Sequence, residues 1–456
     1  MQKILITLTQ AVTVKNLMRT GVVEQLLKDP TIELIFLTQH PERIEYYQKE
    51  FAFPRTSYRA LASLPSGAWE RLFSFLKVYT IRTKTTDLRR SMVAHDTGRY
   101  GNYLAGTLLN RLVAHRLARV LIRALDVRLV HDAAAKKFLA KETPDLVVLT
   151  NLFEDFEISL LREARRLGIR TVGLINSWDR LTARWSVRLR PDTLLVFNEE
   201  NKGEAVRLMD MPAHAIQICG IPQYDRYVNE TPIDRETFFR SKGLDPHKRL
   251  ILLAPMGPTF SDSDWQLIDL IERLMHESKE LQDCQMLVRF QPNEALDRAG
   301  ILERPWLIYD DPGIRFGEGR SGDWDMTEAD LRGLHASLHY ADVLITYTSS
   351  ISVDAAVTDT PIININFTLH PVHEYLRTPT FYYGTNHHQS ATRTGGIHIV
   401  KSVDELVHAT RAYLDNPSLD HAQRHRLAEE QTYRLDGKSS ARIAAAIRAA
   451  VPHRQP

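Results

Sequence analysis

The amino-acid sequence predicts an α/β protein made of two doubly wound domains, each a parallel sheet between helices, facing a cleft. Two observations carry this reading. Short β-prone apolar runs alternate with helically spaced apolar residues along most of the chain, as parallel strands joined by helices require. The alternation also runs twice, in halves of similar length on either side of the polar, turn-rich residues 223–247. Ligands of such sheets bind beyond the carboxyl ends of the strands, so the polar residues closing each apolar run are the candidates for chemistry.

Composition sets the bounds. The chain has 456 residues, 43% of them apolar and 25% charged, enough for two or three domains with a sizeable core in each. A net charge of +2 gives no support to nucleic-acid binding, and no nucleic-acid partner is expected. Cys219 and Cys284 are the only cysteines, which excludes a disulfide framework and a Cys-rich zinc site and fits a reduced, cytoplasmic compartment. The opening MQKILITLTQ holds no signal-type apolar segment, and no run approaches the ~20 apolar residues of a membrane span. A soluble or peripheral protein is expected.

The elements follow in order. Lys3 to Leu8 reads as a buried strand, and Leu17, Val22, Leu26 and Leu27 as one helix behind it. Asn16 and Arg19 sit where they either reach into a cleft at the strand ends or stay solvated. Ile32 to Leu37 is the second strand, stopped by Pro41. Residues 70–137 differ in texture, with 14 Lys or Arg against 5 Asp or Glu. Within them LLNRLVAHRLARVLIRAL interleaves Arg111, Arg116, Arg119 and Arg123 with helically spaced apolar residues. That predicts a basic amphipathic helix whose apolar face meets either a core or, over residues 105–125, an anionic membrane surface.

From Pro144 the α/β rhythm resumes. Strands are expected at Asp145–Thr150, Arg170–Ile175, Thr193–Phe197 and Ala215–Cys219, with helices at Phe156–Leu167 and Glu199–Met209. The first strand end carries Asn151, Glu154 and Asp155, and the second carries Asn176-Ser177-Trp178-Asp179-Arg180. A carboxylate in such a loop serves as a general base, and an arginine holds a phosphate or carboxylate. Glu154 and Asp155 also suit the N-terminus of a helix, where they complement its dipole.

In the second half, strands are expected at Arg249–Ala254, Gln285–Phe290 and Trp306–Tyr309. Helices are expected at Trp265–Met275, capped within Ser261-Asp262-Ser263-Asp264, and at Leu331–His339. The histidine-rich segment after Phe367, with His370, His373, His387 and His388, has no metal-ligand spacing and reads as a loop, so no metal is expected. Ile397–Val400 is the last strand, Ser402 caps Val403–Leu414, and an Ala-rich helix, Ser439–Ala450, closes the chain.

The stretch Ala341 to Phe367, ADVLITYTSSISVDAAVTDTPIININF, is the expected anchor of the chemistry. Val343, Leu344 and Ile345 end in the hydroxyl turn Thr346-Tyr347-Thr348-Ser349-Ser350. A short helix capped by Ser350 or Ser352, with Asp354 in its first turn, leads to a second strand. Strand, hydroxyl turn, helix N-terminus and strand together point backbone N–H groups at an anion, so a diphosphate or nucleotide is the expected ligand.

On these residues the chain resembles the GT-B superfamily of nucleotide-sugar glycosyltransferases, near the CDP-glycerol glycerophosphotransferases and the UDP-N-acetylglucosamine 2-epimerases. The resemblance is carried by ADVLITYTSSISVDAA with Pro361-Ile362-Ile363, and by Arg289-Phe290-Gln291-Pro292-Asn293, which stands where such enzymes have a basic, His-Pro-containing strand end. Weaker matches are Asn176-Ser177-Trp178-Asp179, Gly220-Ile221-Pro222-Gln223-Tyr224-Asp225 and Asp436-Gly437-Lys438-Ser439-Ser440-Ala441-Arg442-Ile443. Asp354 replaces the usual glutamate and Gln291 the usual histidine, and Asn176-Ser177-Trp178-Asp179 replaces His-Gly-Thr-Pro.

The resemblance implies two Rossmann-like domains of the GT-B type. They are an acceptor domain at 1–222 with the basic insert 70–137, a nucleotide-donor domain at 223–425, and a C-terminal helix, 426–456, crossing back to the first domain. It implies a metal-independent glycosyltransferase with no cofactor, moving a sugar from a nucleotide-sugar donor to a hydroxyl of a glycan or lipid-linked acceptor of the cell envelope. Arg289, Gln291, Thr348, Ser349, Ser350 and Asp354 would bind the donor, Asp179 or Glu154 would act as base, and Asn16, Arg19, Trp178 and Arg180 would line the acceptor cleft. A glycerophosphotransferase, a sugar-nucleotide epimerase and a non-catalytic nucleotide-binding scaffold are the alternatives. The location implied is cytoplasmic, either free or peripheral on the inner face of the cytoplasmic membrane.

Overall fold

Seven strands of the first half pair in parallel: β1 (Gln2–Thr7), β2 (Ile32–Thr38), β3 (Thr56–Ala60), β4 (Leu146–Leu149), β5 (Arg170–Leu174), β6 (Thr193–Val196) and β7 (Ile216–Ile218). Their order is β3-β2-β1-β4-β5-β6-β7, so the winding reverses between β1 and β4. The computed structural model describes residues 1–62, 67–317 and 324–452. These strands read as near-continuous apolar runs because both faces are covered. One face packs Ile4, Ile6, Leu34 and Phe36 against Ile443 and Ile447 of the closing helix, Ser439–Ala450. The other packs Leu5, Val147 and Leu149 against Ile158 and Leu161 of the helix Asp155–Arg166.

The second half repeats the design. Strands β8 (Arg249–Ala254), β9 (Cys284–Arg289), β10 (Tyr309–Asp310), β13 (Val343–Thr346), β14 (Ile362–Ile365) and β15 (His398–Val400) form a parallel sheet in the order β10-β9-β8-β13-β14-β15. A separate antiparallel pair joins β11 (Ile314–Arg315) to β12 (Trp324–Asp325). The winding reverses between β8 and β13, so both sheets are doubly wound and Rossmann-like. The chain divides into two units accordingly. The first comprises Met1–Thr86, Gly101–Asp225 and Thr432–Pro456, and the second Asp87–Tyr100 and Arg226–Gln431. The last four residues, 453–456, lie outside those described.

Several expected elements differ. The first helix is two, Ala11–Leu17 and Val22–Leu27, with Gly21 as the N-cap of the second. The supposed connection 223–247 holds the helices Asp225–Asn229 and Arg235–Lys242, the latter burying Phe238 and Phe239 beneath Tyr340. The histidine-rich loop contains the helix Asn386–Thr392, and the helix His421–Thr432, almost wholly polar, had no expected counterpart. Residues 87–100 of the basic stretch belong to the second unit, where the Asp96 carboxylate accepts from the N–H groups of Tyr375 and Leu376, each at 2.8 Å.

The basic amphipathic helix is also two helices, Tyr100–Val113 and Arg116–Leu129, broken where His115 caps the second. Its arginines divide between two faces, Arg111, Arg116 and Arg128 exposed and Arg119 and Arg123 turned inward. Arg119 and Arg123 are buried on Asp210, at 2.7 and 2.6 Å, while Leu104, Leu108, Leu112, Leu117 and Leu121 stand 61–78% exposed. Pairing with a buried carboxylate decides which face turns inward, since an unpaired buried guanidinium costs more than an exposed leucine. Further along, buried Asp126 binds Arg162 at 2.6 Å and Arg188 at 2.7 Å, tying the insert to the helix Asp155–Arg166. Asp126→Ala leaves buried Arg162 with only the Glu70 carboxylate, at 3.4 Å, and Arg188 with Glu70 and Asp155, and chemical denaturation should show a loss of about 3 kcal/mol.

Candidate active site

The stretch Val343 to Ile365 folds as strand, turn, short helix (Ile351–Val357) and strand, beside the reversal point of the second sheet. Thr346 Oγ1 donates to Ala254 O at 2.7 Å, closing the end of β13 onto β8. Ser350 is the N-cap residue and makes no side-chain capping bond, whereas Ser352 Oγ bonds Asn364 Oδ1 at 3.1 Å. Thr348 is buried and its hydroxyl donates to Pro379 O at 3.1 Å. Ser349 is partly buried and Ser350 exposed.

Arg289 ends β9 and is buried, paired with the Asp310 carboxylate and donating from Nη2 to Asp330 O at 3.2 Å. Lys242 Nζ holds the same Asp310 at 2.8 Å. Gln291 follows β9 and is partly buried. Asp354, also buried, accepts from the Tyr227 hydroxyl at 3.4 Å. Burial and then the Asp354 charge push that phenol well above its ordinary range, while the Arg289 charge opposes them. Tyr227 therefore links the two donor-binding candidates that lie on separate strand ends. Its ring stacks on His335 with centroids 4.7 Å apart, and burial, aided by His339 and Arg226, lowers His335 to about 4, so that it is neutral at pH 7. Tyr227 and His335 escaped sequence reasoning because one lay in a supposed connection and the other on a helix face.

The loop after β8 is held by Asp264, whose carboxylate accepts from Met256 N–H at 3.3 Å and Gly257 N–H at 2.7 Å. Gly257 has φ +80°, and a Cβ there would lie 2.6 Å from Glu294 Cγ. That pair of constraints explains the Gly/Pro loop.

In the first unit, Asp179 accepts from Ser177 Oγ at 2.6 Å and starts the short helix Arg180–Ala183. Glu154 precedes the helix Asp155–Arg166 without capping it. Arg180 is buried, its Nη2 donates to Gln10 Oε1 at 2.9 Å, and both Asp179 and Glu154 act on its charge. The two base candidates thus share one arginine. Asn16 Nδ2 reaches Asn176 O at 3.5 Å, and Trp178 O accepts from Asn201 Nδ2 at 3.2 Å. Arg19 is placed differently, on Glu50 at 2.7 Å and Tyr46 at 3.0 Å, with its guanidinium 4.8 Å from the Phe51 ring centroid.

Two carboxylates that sequence reasoning did not single out stand near these strand ends. Glu157 is fully buried and accepts from Thr7 Oγ1 at 2.6 Å, Thr9 Oγ1 at 3.2 Å, Thr150 Oγ1 at 3.4 Å and Asn151 N–H at 2.7 Å. Burial pushes its carboxyl up to about 7 against those donors. Glu204 is pushed up to about 8 by burial and by the Glu200 and Asp179 charges. Neither differs in sequence from an ordinary helix glutamate.

Two weak sequence matches meet in the first unit. The Asp225 carboxylate accepts from the N–H groups of Ser439 and Ser440 at 2.8 and 2.7 Å, and Arg442 Nε donates to Cys219 O at 2.9 Å. Gly220, φ +80°, admits that approach, since a Cβ would lie 2.5 Å from Ser439 Oγ. This pair of motifs clasps the closing helix to the end of the first sheet.

Two doubly wound parallel sheets with polar strand ends define a fold of the GT-B type. A family model described as CDP-Glycerol:Poly(glycerophosphate) glycerophosphotransferase matches residues 177–449, more than half of the chain, and the protein belongs to that family. No curated protein sequence matches it. Among solved structures, it is similar to UDP-GlcNAc 2-epimerase from Neisseria meningitidis bound to UDP-GlcNAc, at 11% identity over 98% of this chain and 100% of that one, with a TM-score of 0.57. It is similar to S. aureus MnaA with UDP at 11% identity, over 100% and 99% of the two chains, with a TM-score of 0.53. It is also similar to the wall teichoic acid polymerase TagF with CDPG at 14% identity, over 98% and 88%, with a TM-score of 0.52. At these identities the likeness is one of fold.

The pH dependence of stability tests the Glu157 environment. This carboxyl ionises near 4.5 in the unfolded chain and near 7 in the fold, so between those values the folded protein binds the additional proton and loses stability as pH rises. The unfolding free energy of the wild type relative to Glu157→Gln should fall by on the order of 3 kcal/mol from pH 4.5 to 7 and level off above 7. A difference independent of pH in denaturant titrations would contradict this environment.

Proposed function

We propose that the protein transfers a glycosyl group from a nucleotide-activated donor to a hydroxyl of a cell-envelope glycan or lipid-linked acceptor. The observation that carries this reading is the Arg289, Asp354 and Tyr227 group at the strand ends of the second sheet. There Arg289 offers its positive charge to the diphosphate leaving group, oriented by Asp310, and Asp354 accepts from ribose or sugar hydroxyls. Ser349 and Ser350 add hydroxyl donors to the phosphates. In the first unit Asp179 or Glu154 removes the proton of the acceptor hydroxyl, beside the Arg180 guanidinium. The family model favours a second reading, in which the group moved is glycerophosphoryl and the donor is CDP-glycerol.

The insert supplies the expected lipid contact. Exposed Leu104, Leu108 and Leu112 recur at one-turn intervals, as do Leu117, Leu121 and Leu125, and Trp69, Leu72 and Phe75 stand exposed on a neighbouring helix, Ala68–Leu76. Exposed Arg71, Arg111, Arg116 and Arg128 lie among them. An apolar row edged with arginines matches an anionic bilayer surface, where a lipid-linked acceptor would reside. Among the described residues no helix is long and apolar enough to cross a membrane.

Thermal-shift assays against CMP, CDP, UDP, GDP, ADP and CDP-glycerol, with and without magnesium, test the donor. A nucleotide at ~100 times its dissociation constant adds about 2.7 kcal/mol. One nucleotide should raise the melting temperature without magnesium, and Arg289→Ala should abolish the shift. If none of the six does so, the transferase reading fails. Product analysis with the bound donor then separates glycosyl from glycerophosphoryl transfer. Vesicle co-sedimentation tests the insert: binding to phosphatidylglycerol vesicles should exceed binding to phosphatidylcholine, and the triple variant Leu108→Glu, Leu112→Glu, Leu117→Glu should remain in the supernatant.

A further inference from the structure

The reversal point of the first sheet holds a group of buried side-chain amides with no partner inside the protein. Asn151 follows β4 and Asn176 follows β5, and both the Nδ2 and Oδ1 atoms of each are buried without a hydrogen bond. Asn16 joins them through its 3.5 Å bond to Asn176 O, and its own Oδ1 is likewise unpartnered, as is Arg180 Nε. All four side chains are more than nine-tenths buried. The β4–β5 register pairs Leu149 with Gly173, so Asn151 and Asn176 leave adjacent strand ends side by side. Arg180, bonded to Gln10, ties the loop after β5 to the turn after β1 across the end of β4.

Folding normally leaves such groups paired, because a buried amide that has given up water and found nothing else is destabilising. Three at one point, at the place where doubly wound sheets bind ligands, indicate a missing partner. Its chemistry can be read from the atoms. The unpartnered set includes three amide oxygens, on Asn16, Asn151 and Asn176, beside amide donors on Asn151 and Asn176. Because both amide atoms of Asn151 and Asn176 are unpartnered, exchanging their O and N assignments leaves the set unchanged. A phosphate or carboxylate presents acceptors only, so it would meet the amide donors and Arg180 Nε but leave the three amide oxygens unsatisfied. A hydroxyl both donates and accepts, and neighbouring hydroxyls on a carbon chain satisfy neighbouring amides.

We propose that Asn16, Asn151 and Asn176 form a binding site for a neutral polyol, the hydroxyl-bearing end of the acceptor. The assignment of this polyol as acceptor rests on the transferase reading, whereas the site itself rests on the amides. Held there, a hydroxyl lies in the unit that carries Asp179 and Glu154, and the amides select an uncharged chain end over a phosphorylated one. Asn176 stands in the segment where the resemblance led one to expect His-Gly-Thr-Pro, so this chain has an amide where a titratable ring was expected.

Saturation-transfer NMR on the full-length protein, with glycerol and ribitol as probes and inorganic phosphate as competitor, tests the site. The wild type should transfer saturation to the polyol, undiminished by phosphate. Asn16→Leu, Asn151→Leu and Asn176→Leu should each cut the transfer at least ~5-fold. Their melting temperatures should match or exceed that of the wild type, because an apolar group of similar volume replaces an unpaired polar one. Three positions keep the test decisive if one variant does not fold. No transfer in the wild type, retained transfer in the variants, or displacement by phosphate would overturn the proposal. Lowered melting temperatures in all three would also overturn it, since the amides would then be paired with structural water. Nucleotide thermal shifts report separately on the second unit: polyol binding lost while they persist sinks this site alone, and shifts absent while polyol binding persists sink the transferase reading.

Discussion

Where a doubly wound sheet reverses, two strands run side by side and their following chains depart in opposite directions, leaving strand-end polar groups to be satisfied by side chains. Both units meet that constraint with a threonine. Thr150 Oγ1 donates to Thr7 O at 3.0 Å across β4 and β1, and Thr346 Oγ1 donates to Ala254 O at 2.7 Å across β13 and β8. A buried carboxylate completes each arrangement by accepting from the next backbone N–H groups, Glu157 from Asn151 and Asp264 from Met256 and Gly257. Burial raises both carboxyls, so these positions are costly to ionise and are retained because the loops depend on them. Fixed loops at the reversal points allow the remaining strand-end residues to serve a ligand rather than the fold.

Much of this fold was legible because fully buried parallel strands need apolar residues on both faces. Arg249–Ala254 and the helix Ser439–Ala450 could be bounded to the residue, and the remaining strands of the two large sheets to within a few positions, except the edge strand β3 (Thr56–Ala60), which was not expected. What was not legible depended on partners distant in sequence. The insert reads as a basic amphipathic helix until Asp210 is known to lie beneath Arg119 and Arg123, which turns those two arginines in and the leucines out beside exposed Arg111, Arg116 and Arg128. Residues 223–247 look polar because charged and turn residues dominate them, yet Phe238 and Phe239 are fully buried and anchor the helix Arg235–Lys242. The helix His421–Thr432 has little apolar stripe to detect, and it is fixed instead by Arg424, which reaches Asp359 at 2.9 Å.

The site divides along the same line. Asp179, Glu154 and Arg180 fall on adjacent loops of one sheet and meet in space because topology alone brings strand ends together. Arg289 and Asp354 were legible for the same reason. Tyr227, which bridges them electrostatically, was not, because it follows the first sheet's last strand in sequence and belongs to the other unit. Arg19 was drawn away from the strand ends by Glu50 and Tyr46, partners that no local pattern announces.

The two reversal points differ in charge although they share a design. The second presents a buried arginine paired with Asp310, two serines and a carboxylate, the set on which the proposed donor site rests. The first presents amides of both polarities, with carboxylates and an arginine whose charges offset one another. An anion gains little there, and a neutral hydroxyl gains a partner on each side. A group transfer from an activated phosphate to an alcohol needs these two unlike environments, because the leaving group carries charge away while the nucleophile must lose a proton. Repetition of one fold supplies the strand ends, and in the proposed transfer the side chains placed on them, arginine and serine in one unit and asparagine in the other, would separate the two tasks.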